Sequence, residues 1–232
     1  MATAADVAAY AAAQDDVVAL AHRDLLRWWS TVDTTDARAA AAALVDFLPE
    51  LVAMYGDVAA DVAADWYDEL RERAGVPGLF RALVAEPPPV EQIAATARWA
   101  AGPLFGEDGD PLARLAGSVQ RLVQYTARES IARSAARDPS RPRWARVLRG
   151  RGCAWCRMLA GRGAVYRSAQ TAGAGRAWHD HCKCVPTPVW EGQRLPYDAD
   201  ALEREYLAAR ERADGSSTRA VLAQMRQDLG VA

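Results

Sequence analysis

Two short stretches decide how the second half of this chain folds: Gly152-Cys153-Ala154-Trp155-Cys156 and His179-Asp180-His181-Cys182-Lys183-Cys184. All four cysteines and two of the three histidines of the 232-residue chain lie in this window. The two residues inside the C-x-x-C motif let both thiolates turn toward one ion, and the gap between the two stretches is typical of a two-pair zinc site. Thiolate and imidazole suit Zn²⁺ because it is borderline-soft and accepts a closed tetrahedron. The sequence therefore predicts a structural Zn²⁺ site.

More donors are available than a tetrahedral site needs. On a strand, Cys182 and Cys184 project to the same side, so both could reach one ion. His179 then either replaces one of them or supports a thiolate from outside the shell. His181 is the least favoured donor. The predicted metal-binding residues are Cys153, Cys156, His179, Cys182 and Cys184.

Three other chemistries stay open for these cysteines. Two disulfides are possible, but no secretory signal is readable and the chain is expected in a cytoplasm, where thiols stay reduced. A thioredoxin-like redox pair could use the C-x-x-C motif, although it requires βαβ surroundings that this helical chain does not predict. A cysteine nucleophile paired with His179 or His181 is chemically possible, because imidazole activates a neighbouring thiol.

The first part of the chain predicts a helical bundle. Apolar residues recur at helical spacing from Ala4 to about Trp29. A second helix is predicted to follow the Thr34-Thr35-Asp36 caps, and Pro49 to open a third that stops at Gly75. Two more helices are predicted at residues 90–101 and 111–136, whereas the state of the apolar stretch 79–84 is left open.

After Asp138, Pro139 and Pro142 the predicted elements become shorter and include strands. Short strands are predicted at 144–148, 164–166 and 185–190, with a short helix at 153–160 and two closing helices at 198–213 and 216–229. The predicted fold class is mainly α, with an N-terminal helical bundle, a small zinc-pinned α/β module and a helical C-terminal tail. The predicted boundaries of these three parts are 1–138, 139–195 and 196–232.

The charge is unevenly distributed along the chain. Residues 1–120 carry 19 acidic residues against 8 arginines, whereas residues 121–176 carry 13 arginines against two acids. The two parts could match each other, or the Arg121–Arg149 region could touch DNA phosphates without reading sequence. Closer to the cysteines, Arg151 and Arg157, together with Lys183, are expected to lower the pKa values of the thiols.

No membrane contact is expected from the sequence. Charges such as Asp15, Arg23 and Asp46 interrupt every candidate apolar run, and a membrane helix needs about 20 apolar residues. Four tryptophans, Trp28, Trp29, Trp66 and Trp99, fit helical packing or a groove for a partner.

At the cysteine motifs the chain resembles the MuF-like minor head proteins of tailed phages, and especially the actinobacteriophage relatives labelled capsid maturation proteases. The histidine position of that pattern is matched by His179. The stretches that carry the resemblance are Cys153–Gly161, Gly163–Ser168, His179-x-x-Cys182-x-Cys184 and Val185–Trp190, with Val62–Leu70 and Arg98–Leu104 upstream.

The resemblance implies a virion component, located in the phage head and the host cytoplasm. It implies association with the portal or the major capsid protein, and a role in head assembly. A protease activity is also implied, but the chain contains neither a G-x-S-x-G elbow nor an H-E-x-x-H helix. The histidine outside the window, His22, lies on a predicted helix. No catalytic residue can therefore be named, and head morphogenesis is the favoured function, with capsid maturation protease as the alternative.

Overall fold

The computed structural model describes residues 1–167 and 178–232. Helix α1 (Ala4–Trp29) begins at a reciprocal cap, in which the Thr3 hydroxyl accepts from the Asp6 N–H at 3.1 Å and the Asp6 carboxylate accepts from the Thr3 N–H at 2.8 Å. Its Val7, Tyr10 and Leu25 side chains are buried. The predicted first helix is confirmed with the bounds that its periodicity gives.

Helix α2 (Ala37–Arg73) corrects the prediction of two separate helices. It starts at the predicted cap Asp36, but Pro49 lies inside it. A proline in a helix interior removes one backbone hydrogen bond and costs roughly 3 kcal/mol. Burial of Leu48, Leu51 and Val52 on both sides of the proline offsets that cost, because each fully buried apolar side chain contributes about 1.5–3 kcal/mol.

Helix α2 also qualifies the expectation about membranes. By length and composition alone it could cross a membrane, since it contains an 18-residue stretch of mean hydropathy 1.4 with at most two charged residues. The prediction that charges interrupt every such run was therefore too strong. In the structure α2 packs against α1 and against the two helices that follow, and Leu44, Ala59 and Ala63 are fully buried there. This environment is that of a core helix.

Helices α3 (Val90–Ala100) and α4 (Pro111–Arg137) complete the bundle, with a 3₁₀ turn at Gly102–Phe105 between them. The cap of α4 is Asp110, as predicted, and its carboxylate accepts from the Ala113 N–H at 2.8 Å. Helix α4 packs against α1, α2 and α3 and against the strands described below. It is therefore the element that joins the bundle to the cysteine-rich part of the chain.

The stretch 79–84, whose state the sequence left open, forms neither a helix nor a strand. Its backbone lies along α4 because serine hydroxyls there accept its N–H groups. Leu83 donates to Ser134 at 2.8 Å, and Ala85, just beyond the stretch, donates to Ser130 at 2.9 Å. The two serine hydroxyls thus support the backbone of this stretch. Ser168, the last residue of the Gly163–Ser168 stretch named above, lies outside the described residues.

Strands β1 (Arg143–Val147) and β2 (Val185–Val189) form an antiparallel pair in which Val147 faces Val185. The predicted strand at 164–166 is reduced to a single bridge between Tyr166 and Trp144. The pairing brings the residues that follow β1 close to those that precede β2, and the two cysteine motifs lie in these places.

Three short helices cover the far side of this region: α5 (Ala154–Gly161), α6 (Ala199–Arg212) and α7 (Thr218–Leu229). Met158 and Leu159 of α5 form a second hydrophobic cluster with Ala209, Leu222 and Met225 of the two later helices. The predicted C-terminal tail therefore packs on the helix that carries the C-x-x-C motif.

The predicted fold class is confirmed: the chain is mainly helical and carries a small two-stranded sheet. The division of the chain at residues 138 and 195 remains a prediction. The main hydrophobic cluster contains Trp144, Val147 and Trp190 together with residues of the bundle helices. One core is thus shared across the predicted boundary at 138.

Candidate metal centre

The first pair of donors is placed by the start of α5. Gly152 adopts a φ of +62°, which favours glycine, and turns the chain into the cap residue Cys153. The Cys153 sulfur accepts from the Cys156 N–H at 3.4 Å, so both thiols lie at the first turn of the helix. Cys156 is 2% exposed, whereas Cys153 is half-buried.

The second group of donors lies on the segment that leads into β2. The His179 Nε2 atom is 3.2 Å from the Cys153 sulfur and 3.3 Å from the Cys156 sulfur. The Cys156 and Cys182 sulfurs are 3.6 Å apart. The structure therefore brings both predicted motifs together, although Cys182 and Cys184 precede the strand and do not lie on it.

These distances are close to the edges of a zinc tetrahedron. With Zn–S bonds of about 2.3 Å and Zn–N bonds of about 2.05 Å, a sulfur–sulfur edge is about 3.8 Å and a sulfur–nitrogen edge about 3.6 Å. The three measured contacts are shorter than these edges by only a few tenths of an ångström. A disulfide needs about 2.05 Å between sulfurs, so the Cys156–Cys182 separation is far too long for one. All four cysteines are free thiols.

Cys156 is the donor common to two triads that could hold a metal ion. One triad is Cys153, Cys156 and His179, and the other is Cys156, Cys182 and Cys184, with all donor atoms of each within 4.8 Å of one another. A Cys₃His cluster therefore exists in the described residues, compatible with a metal site.

The backbone and helix α4 fix the orientation of His179. Its Nδ1 atom lies 2.6 Å from the Asp180 carbonyl oxygen, which can only accept, so Nδ1 carries a proton and Nε2 is the nitrogen that faces the sulfurs. The Asp180 carboxylate accepts from Ser118 at 3.0 Å and from Arg121 at 2.6 Å, both on α4. The His181 ring lies beside Gly117 of α4, and His181 belongs to neither of the two triads.

The close approach of this segment to α4 requires a glycine. A Cβ atom at Gly117 would lie 2.6 Å from the His181 Nε2 atom and 2.7 Å from the Asp180 Cβ atom, too close for either. Sequence periodicity gave no reason to single out this glycine. The contact is between parts of the chain about 60 positions apart, and no local pattern reports it.

The five donors compete for charge. Contact with Cys156, and then with His179, lowers the pKa of the Cys153 thiol to about 4. Contact with the thiols of Cys153 and Cys182 raises the pKa of His179 to about 10. Contact with Cys153 and Cys182, reinforced by burial, raises the pKa of the Cys156 thiol. A divalent cation among them would remove this conflict, because it stabilises every thiolate that it binds.

Two of the three cations that the sequence suggested for the thiols, Arg151 and Arg157, make contacts elsewhere, whereas Lys183 lies between Cys182 and Cys184 in the chain. Arg157 pairs with Glu205 at 2.5 Å, and Arg151 donates to the Leu229 carbonyl at 2.7 Å. The guanidiniums that do reach the cluster belong to Arg128 of α4 and Arg146 of β1. Arg128 donates to the Cys182 carbonyl at 2.9 Å, and the Arg146 Nη1 atom lies 4.0 Å from the Cys156 sulfur.

A groove of about 850 Å³ opens beside Cys153 and His179. Trp155, Trp178 and Leu222 supply apolar lining, and the residues Arg149, Lys183 and Arg226 add positive charge. Its position leaves the Cys153 side of the cluster accessible, whereas Cys156, Cys182 and Cys184 are at most 5% exposed.

In comparison with known proteins, the family model described as VG15 protein matches residues 1–209, which is most of the chain. No curated protein and no solved structure matches it. The chain therefore belongs to the VG15 protein family, which makes it a phage protein whose role the family does not specify.

Proposed function

We propose that this protein is a MuF-like minor head protein that acts in capsid and portal assembly and whose second half is held together by a structural Zn²⁺ ion. The observation that carries the zinc part is the convergence of donors from both motifs on Cys156, where the Cys153–His179, Cys156–His179 and Cys156–Cys182 distances are close to the edges of a zinc tetrahedron. The head part is supported by the phage family and by the likeness of the cysteine motifs to minor head proteins.

A structural role fits the donor set better than a catalytic one. Catalytic zinc keeps one place open for water, whereas four protein donors close the tetrahedron. Cys184 is a fourth thiol, beside Cys156 and Cys182, so with His179 the protein has five possible donors, one more than a tetrahedral ion requires. Zinc binding contributes on the order of 10 kcal/mol to the folding of small zinc modules.

A matched pair of histidine variants tests the site. We expect the purified protein to contain one zinc ion per chain and its cysteines to resist thiol reagents until a chelator is added. His179→Ala should lose the metal, and the neighbouring His181→Ala should keep it, because only His179 faces the sulfurs. A metal-free wild-type protein with freely reactive thiols would refute the zinc site.

The role in the head requires a separate experiment. We expect the protein in purified phage particles, and we expect it to co-purify with the portal or the major capsid protein. Heads assembled with His179→Ala in place of the wild-type chain should contain less of the protein than heads assembled with His181→Ala. Full absence from wild-type particles would contradict the proposal.

Contact with DNA through the Arg121–Arg149 region is a weaker part of the proposal. Arg121 pairs with Asp180 and Arg149 with Asp15, so these two are engaged within the chain. Arg137, Arg141 and Arg143 are exposed and could meet phosphates. Such binding should be independent of sequence and weaken steeply with salt, and replacement of these three arginines by glutamine should abolish it.

A second candidate function is a cysteine protease that matures the capsid. The observation that favours it is the pair formed by half-buried Cys153 and His179, 3.2 Å apart beside the groove. In such a reaction the Cys153 thiolate attacks a peptide carbonyl, His179 protonates the leaving amine, and water hydrolyses the acyl-enzyme.

The capsid protein itself separates the two functions. If Cys153 is a nucleophile, Cys153→Ser abolishes cleavage of the major capsid protein while Cys182→Ser retains it. If the site holds zinc, both variants lose the metal alike and the wild type cleaves nothing. The convergence of four donors, when a nucleophile needs a single thiol, is why we favour zinc.

A further inference from the structure

Trp178, the residue before the histidine donor, lies between two buried arginines. The guanidinium carbon of Arg146 is 3.8 Å from the centroid of the Trp178 ring, and that of Arg128 is 4.2 Å from it. Both guanidiniums therefore pack against the same indole ring. Arg128 is 4% exposed and Arg146 is fully buried.

Two like charges that pack on one ring are costly to bury. Removing a cation from water is unfavourable, and mutual repulsion adds to this cost. A cation over an indole face recovers part of the cost. Negative charge close by stabilises both cations further.

The cysteine cluster supplies that negative charge. Arg128 donates to the Cys182 carbonyl at 2.9 Å and to the Gln124 side chain at 2.7 Å. Arg146 reaches the Cys156 sulfur at 4.0 Å. Both guanidiniums therefore border the donors, and neither lines the groove.

We propose that Arg128 and Arg146, which both pack against Trp178, are positioning residues of the metal centre: they stabilise its net negative charge and hold its donors in place. The inference rests on the proposed zinc site. A Zn²⁺ ion with three thiolates and a neutral imidazole carries a net charge of −1. A fourth thiolate in place of the imidazole makes the net charge −2. The arginines make the interior favourable for an anionic, thiolate-rich complex.

The test measures zinc affinity of the full chain by competition with a chromophoric chelator. We expect Arg128→Gln and Arg146→Gln each to weaken zinc binding about 10- to 100-fold, the usual effect of removing a group that supports metal ligands. Arg128→Lys and Arg146→Lys keep the charge and should restore most of the affinity. Arg133→Gln is the control, because Arg133 lies on the same helix with an exposed side chain that pairs with Glu129.

A second measurement separates charge from mere structural support. Loss of a neighbouring positive charge makes thiolates harder to form, so the pH midpoint of zinc binding should rise in the glutamine variants and return in the lysine variants. A variant that only loosened packing would lower affinity without moving the midpoint. If a glutamine variant does not fold, the lysine variants provide the test. A lysine variant that binds zinc as weakly as His179→Ala overturns the inference.

The outcomes for the two proposals are distinct. If the wild type binds no zinc, the proposed function fails. If the wild type binds zinc and the glutamine variants bind it equally well with the same pH midpoint, only the role of the arginines is refuted.

Discussion

Asp138 is the acceptor at the centre of a buried network that joins the bundle to the turn before β1. Its carboxylate accepts from Arg71 at 3.0 Å, from Tyr67 at 3.1 Å, and from the Ser140 N–H and hydroxyl at 2.9 and 2.7 Å. The side chain is fully buried, and that of Arg71 is 9% exposed. The Ser140 hydroxyl also accepts from Trp190, so the network reaches the residue after β2.

Replacement of Asp138 by Asn should destabilise the protein by about 3 kcal/mol. Breaking a buried ion pair from one side usually costs about 3–5 kcal/mol. The loss is expected at the lower end, because Arg71 keeps hydrogen bonds to the carbonyls of Pro77 and Gly78. The NH₂ group of the new asparagine would also face Arg71, Tyr67 and Ser140, which are themselves donors.

Urea denaturation at pH 7 measures this effect. The control is Arg73→Gln, which removes an ion pair to Asp6 whose arginine side chain is 45% exposed. Exposed pairs contribute at most about 1 kcal/mol, so the control should lose less than that. A loss below 1 kcal/mol in Asp138→Asn would refute the reasoning that this network stabilises the joint.

The effect should depend on pH in a defined direction. Burial raises the pKa of Asp138, but hydrogen bonds from Ser140, Arg71 and Tyr67 outweigh it and hold the pKa below its ordinary value. Because the pKa of Asp138 is lower in the folded state, its ionisation stabilises the folded protein at pH values above the unfolded-state pKa of about 3.9. This contribution is lost as the pH falls through the folded-state pKa. The difference between wild type and Asp138→Asn should thus be constant from about pH 5 to 7 and shrink below about pH 4. A difference that grows on acidification would contradict this sign.

Three further substitutions have predicted outcomes. Gly117→Ala should lower zinc affinity severalfold in the chelator competition assay, although alanine has the higher helix propensity. The new methyl group would lie 2.7 Å from the Asp180 Cβ atom and must displace that residue. Unchanged affinity would argue that the segment moves freely. Gly161→Ala should cost about 1–3 kcal/mol in urea, since its Cβ would lie 2.9 Å from the Glu203 backbone nitrogen, which cannot rotate away. Pro49→Ala should raise the free energy of unfolding by about 1–3 kcal/mol, as it restores a helical N–H; a decrease would show that the proline stabilises α2.

The sequence was a good guide to elements whose ends carry local signals. Asp110 and Asp36 are caps that satisfy the first N–H groups of α4 and α2, and such caps act within three residues. The prediction that Pro49 opens a separate helix was wrong. A helix break at proline is only a local preference, and burial of apolar residues on both sides of Pro49 overrides it. The 79–84 stretch follows α4 through serine hydroxyls about 50 positions away, which no periodicity reveals.

The candidate site was partly predictable for the same reason. The C-x-x-C spacing and the crowding of His179 with Cys182 are short-range signals, and the structure joins the two motifs through Cys156, which belongs to one triad with Cys153 and His179 and to another with Cys182 and Cys184. The arginines at 128 and 146 were not predicted as neighbours of the site. They lie on a helix and a strand that approach the thiols only in the folded chain, among 28 basic residues that look alike in the sequence.

Helix α5 holds a thiol toward the cluster on one side and Met158 and Leu159 toward α6 and α7 on the other. At eight residues it is shorter than the roughly 12–15 that an isolated helix needs to persist in water. During synthesis the C-x-x-C motif leaves the ribosome after β1, which α5 contacts, and before α6 and α7, which cover its other side. The histidine and the later cysteines arrive next, and the apolar cover comes after them, so the order of translation would favour capture of the proposed ion before the cover closes.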